Sequence, residues 1–190
     1  MRKIITTTWI SLDGFIAGPN NEMDWVRVDD EMGKYEMDIV TAADTLLLGR
    51  VTYQSFAGAW PYVPDNPAAD PGEKEYALKL NAMRKIVFSR TLPAVEWHNS
   101  SLLKEVLPET ITQLKHESGR DMLIYGSASI VQALANHGLI DEYQILVHPV
   151  VLGSGKPLFQ NIRDRQKLQL VKTKTFPSGV IGLYYQPDSK

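Results

Sequence analysis

Asp44-Thr45-Leu46-Leu47-Leu48-Gly49-Arg50-Val51-Thr52-Tyr53-Gln54-Ser55-Phe56 changes its periodicity at a single point. From Asp44 to Leu48 the chain is a short, nearly continuous apolar run, which suits a strand buried on both faces. Gly49-Arg50 ends it, and from Val51 to Phe56 the spacing is helical. A buried strand that feeds a helix through a glycine is half of a βαβ unit. The change recurs twice. Lys85-Ile86-Val87-Phe88 stops at Ser89-Arg90. Met122 to Tyr125 stops at Gly126-Ser127, before a helix that carries Ile130, Val131, Leu134 and Ala135 and ends near Gly138. Short buried strands alternating with helices predict an α/β fold with a mainly parallel central sheet, covered on both faces, whose ligands sit outside the carboxyl ends of the strands.

Outward from this centre, Lys3 to Ile10 is rich in Ile and Thr and reads as a strand that ends in the turn Ser11-Leu12-Asp13-Gly14. Asp29-Asp30 opens a helix with Met32, Tyr35, Ile39 and Ala42 or Ala43 at helical spacing, the two acids suiting the positive end of its dipole. Trp60 to Gly72 holds four prolines and reads as a surface excursion, followed by a helix from Glu73 to Leu80. Ser101 to Glu117 reads as a helix interrupted at Pro108. Glu142 to Val147 alternates as a strand, and Gln169–Thr175 pairs with Val180–Gln186 around Pro177-Ser178-Gly179, which predicts an antiparallel C-terminal edge. Residues 1–190 are expected to form one domain.

Composition closes off several function classes. A net charge of −2 carries no basic excess that would suit a nucleic acid. The longest apolar runs are far too short to span a bilayer, and the N-terminus shows no signal-peptide pattern, so a cytoplasmic location is expected. The absence of cysteine excludes disulfides, thiolate metal sites and a Cys nucleophile. His98, His116, His137 and His148 have no metal-ligand spacing, so no metal is expected.

The candidate chemistry lies at the strand ends. Gly126-Ser127-Ala128-Ser129 opens a helix, where free backbone N–H groups and the dipole favour a pyrophosphate; the same residues also suit a plain turn with Ser127 as cap. Gly49-Arg50-Val51-Thr52 repeats the arrangement, with an arginine at an end of the helix that disfavours cations unless an anion binds there. Ser89-Arg90 places a hydroxyl beside a guanidinium, which suits a phosphate monoester such as the 2′-phosphate of NADPH. Trp25 and Trp60 are candidates to line an apolar cleft.

Several of these segments resemble a known family. Gly49 through Phe56 resembles the Gly-Arg-x-Thr-x-x-Ser segment of dihydrofolate reductases. Ser11-Leu12-Asp13-Gly14-Phe15-Ile16-Ala17-Gly18 resembles the loop after their first strand, and is closer still to the Ser-Leu-Asp-Gly of the reductase domain in the bifunctional bacterial riboflavin-biosynthesis protein. Ile124-Tyr125-Gly126-Ser127, Gly138-Leu139-Ile140-Asp141-Glu142 and His148-Pro149-Val150-Val151-Leu152-Gly153-Ser154-Gly155 look like that second family, in the same order and across most of the chain.

The resemblance implies a dihydrofolate reductase-like three-layer α/β/α fold and an NADPH-dependent reductase acting on a small-molecule substrate. The expected reaction is hydride transfer to a C=N or C=O of a heterocycle, of the 5-amino-6-(5-phosphoribosylamino)uracil reductase type. The alternatives are dihydrofolate reductase-type activity, or nucleotide binding without turnover. Trp9, Ile16 and Gly18 would lie near the nicotinamide. Gly49, Arg50 and Thr52 would hold phosphates from one side, Ser89 and Arg90 the 2′-phosphate, and Gly126, Ser127, Ala128 and Ser129 the pyrophosphate. By its place at the end of the first strand Asp13, and after it Asp24, is a candidate to supply the proton; Asp13-Gly14 also suits a plain turn. Folate reductases carry an acid on the helix after the first loop; counting back from Gly49 puts Gly33 there, with Asp29, Asp30 and Glu36 out of phase. The riboflavin-type relatives are dimers, and Tyr143 to Leu152 is a candidate for the surface of such a homodimer.

Overall fold

The computed structural model describes residues 1–188. In chain order the elements are β1 (Ile4–Ser11), β2 (Phe15–Ala17), α1 (Asp30–Ala42), β3 (Ala43–Gly49), α2 (Arg50–Ala57), a 3₁₀ turn (Trp60–Tyr62), α3 (Pro71–Ala82), β4 (Arg84–Phe88), β5 (Ser100–Leu103), α4 (Pro108–His116), β6 (Asp121–Tyr125), α5 (Ala128–Ala135), β7 (Glu142–His148), β8 (Lys156–Pro157), β9 (Leu168–Thr175) and β10 (Ile181–Pro187).

Eight strands form one sheet in the order β5-β4-β3-β6-β1-β7-β10-β9, and β2 and β8 form a separate small pair. β5 through β7 run parallel, while β10 is antiparallel to β7 and to β9. The expected fold class is therefore the observed one. The apolar runs are continuous because both faces of these strands are covered, and successive residues go to opposite sides. Ile4, Leu47, Ile86, Phe88, Met122 and Ile124 pack with Ile111 and Leu114 of α4 and with Ile130, Val131 and Leu134 of α5. Ile5, Leu46, Leu48, Val87, Leu123 and Tyr125 pack on the other face with Ile39 and Val40 of α1, Tyr53 of α2 and Leu80 of α3.

The helix starts follow local chemistry. Asp29 accepts from Met32 N–H and Asp70 from Glu73 N–H, each capping its helix, and Pro71 and Pro108 take first-turn positions that need no donor. Pro108 therefore begins α4; it does not interrupt a longer helix. The expectation of a helix from Ser101 is corrected accordingly. Ser100–Leu103 pairs in parallel with Lys85–Phe88, because the open edge of β4 offers a ladder that a short Ser-Ser-Leu-Leu segment can complete. The segment Tyr143 to His148 needs a second correction. It lies between β1 and β10, with Tyr143, Gln144, Ile145, Leu146 and His148 buried, so this part of the expected Tyr143–Leu152 surface belongs to the core, while Pro149 and Val151 beyond it are exposed.

Lys85, the first inward residue of β4, is fully buried. Its ammonium donates to the Asn81 and His98 carbonyls at 2.6 and 3.0 Å and lies 4.2 Å from the centre of the Trp97 ring. Burial pulls its pKa down from 10.5 to about 8. The folded protein thus releases this proton at lower pH than the open chain does. Stability is expected to rise as pH increases from about 8 to 9.5, by at most about 2 kcal/mol, since the carbonyls and the ring favour the charged form. Urea unfolding across that range should show the rise in the native protein and not in Lys85→Met.

Candidate active site

β4, β3, β6 and β1 are neighbours, so their carboxyl ends form one edge of the sheet. At its centre the turns after β3 and β6 meet. Gly49 N–H donates to Ser127 Oγ at 3.0 Å, and the Ser127 hydroxyl donates to Thr52 Oγ1 at 3.0 Å. A Cβ on Gly49 would come within 3.2 Å of Ser129 Oγ, so a glycine is what lets the starts of α2 and α5 converge. Gly126 has φ +60°, which glycine adopts without strain. Ser129 is exposed and Ala128 half-buried at the start of α5. The structure thus brings Gly49, Thr52, Gly126, Ser127 and Ser129 into one cradle of small and hydroxyl-bearing residues below two helix N-termini.

The arginines stand at its rim. Arg50 is exposed and donates to Gln54 Oε1 at 3.0 Å. Arg90, 75% exposed in its side chain, donates to Glu105 Oε1 at 2.8 Å. Ser89 differs from its expected outward role. It is buried, and its hydroxyl accepts from Thr91 N–H and Leu92 N–H at 3.1 and 3.0 Å, as a Ser that closes its own turn does.

Next along the edge, Trp9 of β1 donates from Nε1 to Glu36 Oε1 at 3.0 Å. Glu36, on α1, is only 7% exposed. Tyr125 donates to its other oxygen, and Tyr76 of α3 donates to the same oxygen at 3.4 Å. The two tyrosine hydroxyls are 2.9 Å apart. Phe56, Trp60 and Tyr76 line up over this group with ring centroids 6.2 and 5.2 Å apart, and Phe56 is 5.9 Å from Tyr125. Burial pushes the Glu36 carboxyl up to about 6, against the three hydrogen bonds that favour its charged form. Burial and the neighbouring Glu36 charge hold Tyr125 and Tyr76 well above the usual phenol range, so both stay donors.

Glu36 is the acid that sequence reasoning passed over. Gly33 is exposed, whereas Met32, Glu36, Ile39 and Val40 form the inward stripe of α1. A carboxylate in phase with an apolar stripe was the available signal. Asp13 sits in the turn that Asp13-Gly14 also suits. Ser11 donates to its carboxylate at 2.6 Å, and Leu152 and Gly153 N–H donate at 3.1 and 2.7 Å. The Ser11 hydroxyl first, and these amides after it, hold Asp13 below the usual carboxylate range, and it clamps the turn as an acceptor. Asp24 is exposed on the loop between β2 and α1. In that loop Arg27 N–H donates to His148 Nδ1 at 3.2 Å, and the Trp25 and Trp9 rings lie 5.4 and 5.9 Å from the imidazole. Ile16 is half-buried on β2, and Gly18 N–H donates to the Glu22 carbonyl at 3.0 Å.

Residues 2–182 match the model of the RibD C-terminal domain. The chain belongs to that family. The uncharacterised Bacillus subtilis protein YyaP is 38% identical over 184 residues, covering 97% of this chain and 94% of YyaP. A protein from Shewanella sp. PV-4, provisionally placed in riboflavin biosynthesis, has a crystal structure that aligns with TM-score 0.76 and 22% identity over the whole of both chains. A diaminohydroxyphosphoribosylaminopyrimidine deaminase/5-amino-6-(5-phosphoribosylamino)uracil reductase from Thermotoga maritima aligns with TM-score 0.67 and 15% identity, covering 98% of this chain and 57% of that one. The family member described here thus has the dihydrofolate reductase-like architecture of its relatives. Among its described residues no helix is long and apolar enough to cross a membrane.

Proposed function

We propose that this chain is an NADPH-dependent reductase that delivers a hydride to the carbon of a C=N or C=O bond in a small nitrogen heterocycle, in the manner of 5-amino-6-(5-phosphoribosylamino)uracil reductases. The observation that carries this reading is the buried Glu36 carboxyl, tied through Trp9 to the strand edge that also bears the Gly49–Ser127 cradle. The family match and the reductase named among its structural relatives support it.

The residues present fit a dinucleotide. Gly49 leaves open the approach between two helix starts that a side chain would crowd, and Thr52, Ser127 and Ser129 supply hydroxyls beside their free amides. When bound there, NADPH supplies the hydride. The cradle fixes the phosphates, and Arg50 adds a positive charge at their rim. Trp9 orients Glu36 by a fixed hydrogen bond. Glu36, whose raised pKa of about 6 keeps it protonated to higher pH than an ordinary carboxyl, passes that proton to the heteroatom beside the reduced carbon, with the hydroxyls of Tyr125 and Tyr76 sharing it in between. The aromatic row of Phe56, Trp60 and Tyr76 keeps water from this group.

Glu36 also favours a second reading, dihydrofolate reductase-type activity, because those enzymes use an acid on the same helix to engage the pterin. Calorimetric titration with NADPH and NADH, followed by loss of reduced-nicotinamide absorbance with pterins, aminouracil ribosyl phosphates and simple carbonyls, tests both. Turnover with an aminouracil supports the first reading, and turnover with dihydropterin the second. Binding without any oxidation would leave a nucleotide-binding protein, and no binding would overturn all three.

A further inference from the structure

The tip of β4 carries two opposite charges on paired strands. Ser89 N–H donates to the Leu103 carbonyl at 2.9 Å, so the residues just beyond β4 and β5 are held side by side by the backbone ladder. Arg90 follows β4, Glu105 follows β5, and their side chains meet at 2.8 Å. The partner of Arg50, by contrast, is the neutral Gln54, so the charge of Arg50 is uncancelled while that of Arg90 is cancelled. The Ser89 hydroxyl already serves its own turn. The β4 tip therefore does not offer an open phosphate site; it offers a cation already matched with a carboxylate.

That tip lies two strand spacings from β6, about 10 Å, within reach of the adenosine ribose of a dinucleotide whose phosphates sit over β3 and β6. A 2′-phosphate arriving there must draw Arg90 away from Glu105 and then lie beside the freed carboxylate. An unphosphorylated ribose meets no such repulsion, and its 2′-hydroxyl can donate to Glu105, the usual way an acid reads that group.

We propose that Glu105 sets the preference between NADPH and NADH, by competing with a ribose 2′-phosphate for Arg90 and by accepting a hydrogen bond from the ribose that lacks one. The inference rests on the dinucleotide reading above. Fluorescence titration of the whole chain with NADPH and with NADH, at low ionic strength, compares the native protein, Glu105→Gln and Glu73→Gln. Glu73 is an exposed acid on α3 and controls for net charge. Glu105→Gln is expected to tighten NADPH and weaken NADH so that the ratio of the two dissociation constants moves by about tenfold, while Glu73→Gln leaves the ratio where it was. An unchanged ratio in Glu105→Gln, or an equal shift in Glu73→Gln, overturns the role of Glu105 and leaves the reductase reading standing. Failure of the native protein to bind either dinucleotide overturns both.

Discussion

Glu36→Gln is expected to slow reduction by about 100-fold or more, because it deletes the buried carboxyl beside Trp9 while keeping a hydrogen-bonding group of the same shape. In the native protein the rate should fall as pH rises through about 6, where the acid loses its proton; in the variant the profile should be flat. A second measurement needs no substrate. The carboxyl titrates near 6 when folded, against 4.5 in the open chain. Between those values the folded protein holds the extra proton, so stability falls as pH rises through the window, by about 2 kcal/mol in all. Urea unfolding at pH 4.5, 6 and 7.5 should show that fall in the native protein and lose it in Glu36→Gln. A variant that keeps the native rate and the native pH profile would remove Glu36 from the chemistry.

Ser129→Asp should separate folding from binding at the other end of the site. Ser129 is the exposed second residue of α5, where a carboxylate favours the helix dipole by about 0.3–1 kcal/mol, so the melting temperature should hold or rise. The same carboxylate would face the phosphates of a dinucleotide. Like charges so placed cost several kcal/mol, which corresponds to more than about 100-fold in affinity for NADPH. Calorimetric titration beside a thermal melt reads both effects. Undiminished NADPH affinity in this variant would mean that the pyrophosphate does not lie over α5.

Much of the architecture was legible in the chain because both-sided burial leaves a plain trace. Leu46-Leu47-Leu48, Ile86-Val87-Phe88 and Met122-Leu123-Ile124 have no polar alternation, and each ends at a residue that can turn sharply or cap a helix. β5, β2 and β8 were not legible. They are two to four residues long, and their pairing depends on an open strand edge supplied from elsewhere in the chain. Pro108 shows the same limit from the other side, since a proline that breaks a helix and one that begins it look alike until the neighbouring strand claims the residues before it.

The residues themselves determined the parallel α/β plan, the glycine- and serine-bearing strand ends and the likeness to riboflavin-type reductases, because periodicity, turn chemistry and local motifs act over a few neighbouring positions. Only the folded chain decided which groups have partners. Asp13 is committed to the amides of Leu152 and Gly153, and Arg90 to Glu105. Glu36 lies between Trp9, Tyr76 and Tyr125, which come from three other elements 27, 40 and 89 positions away. The charge state of a carboxyl depends on the water it loses and the donors it gains, and contacts across such separations set both.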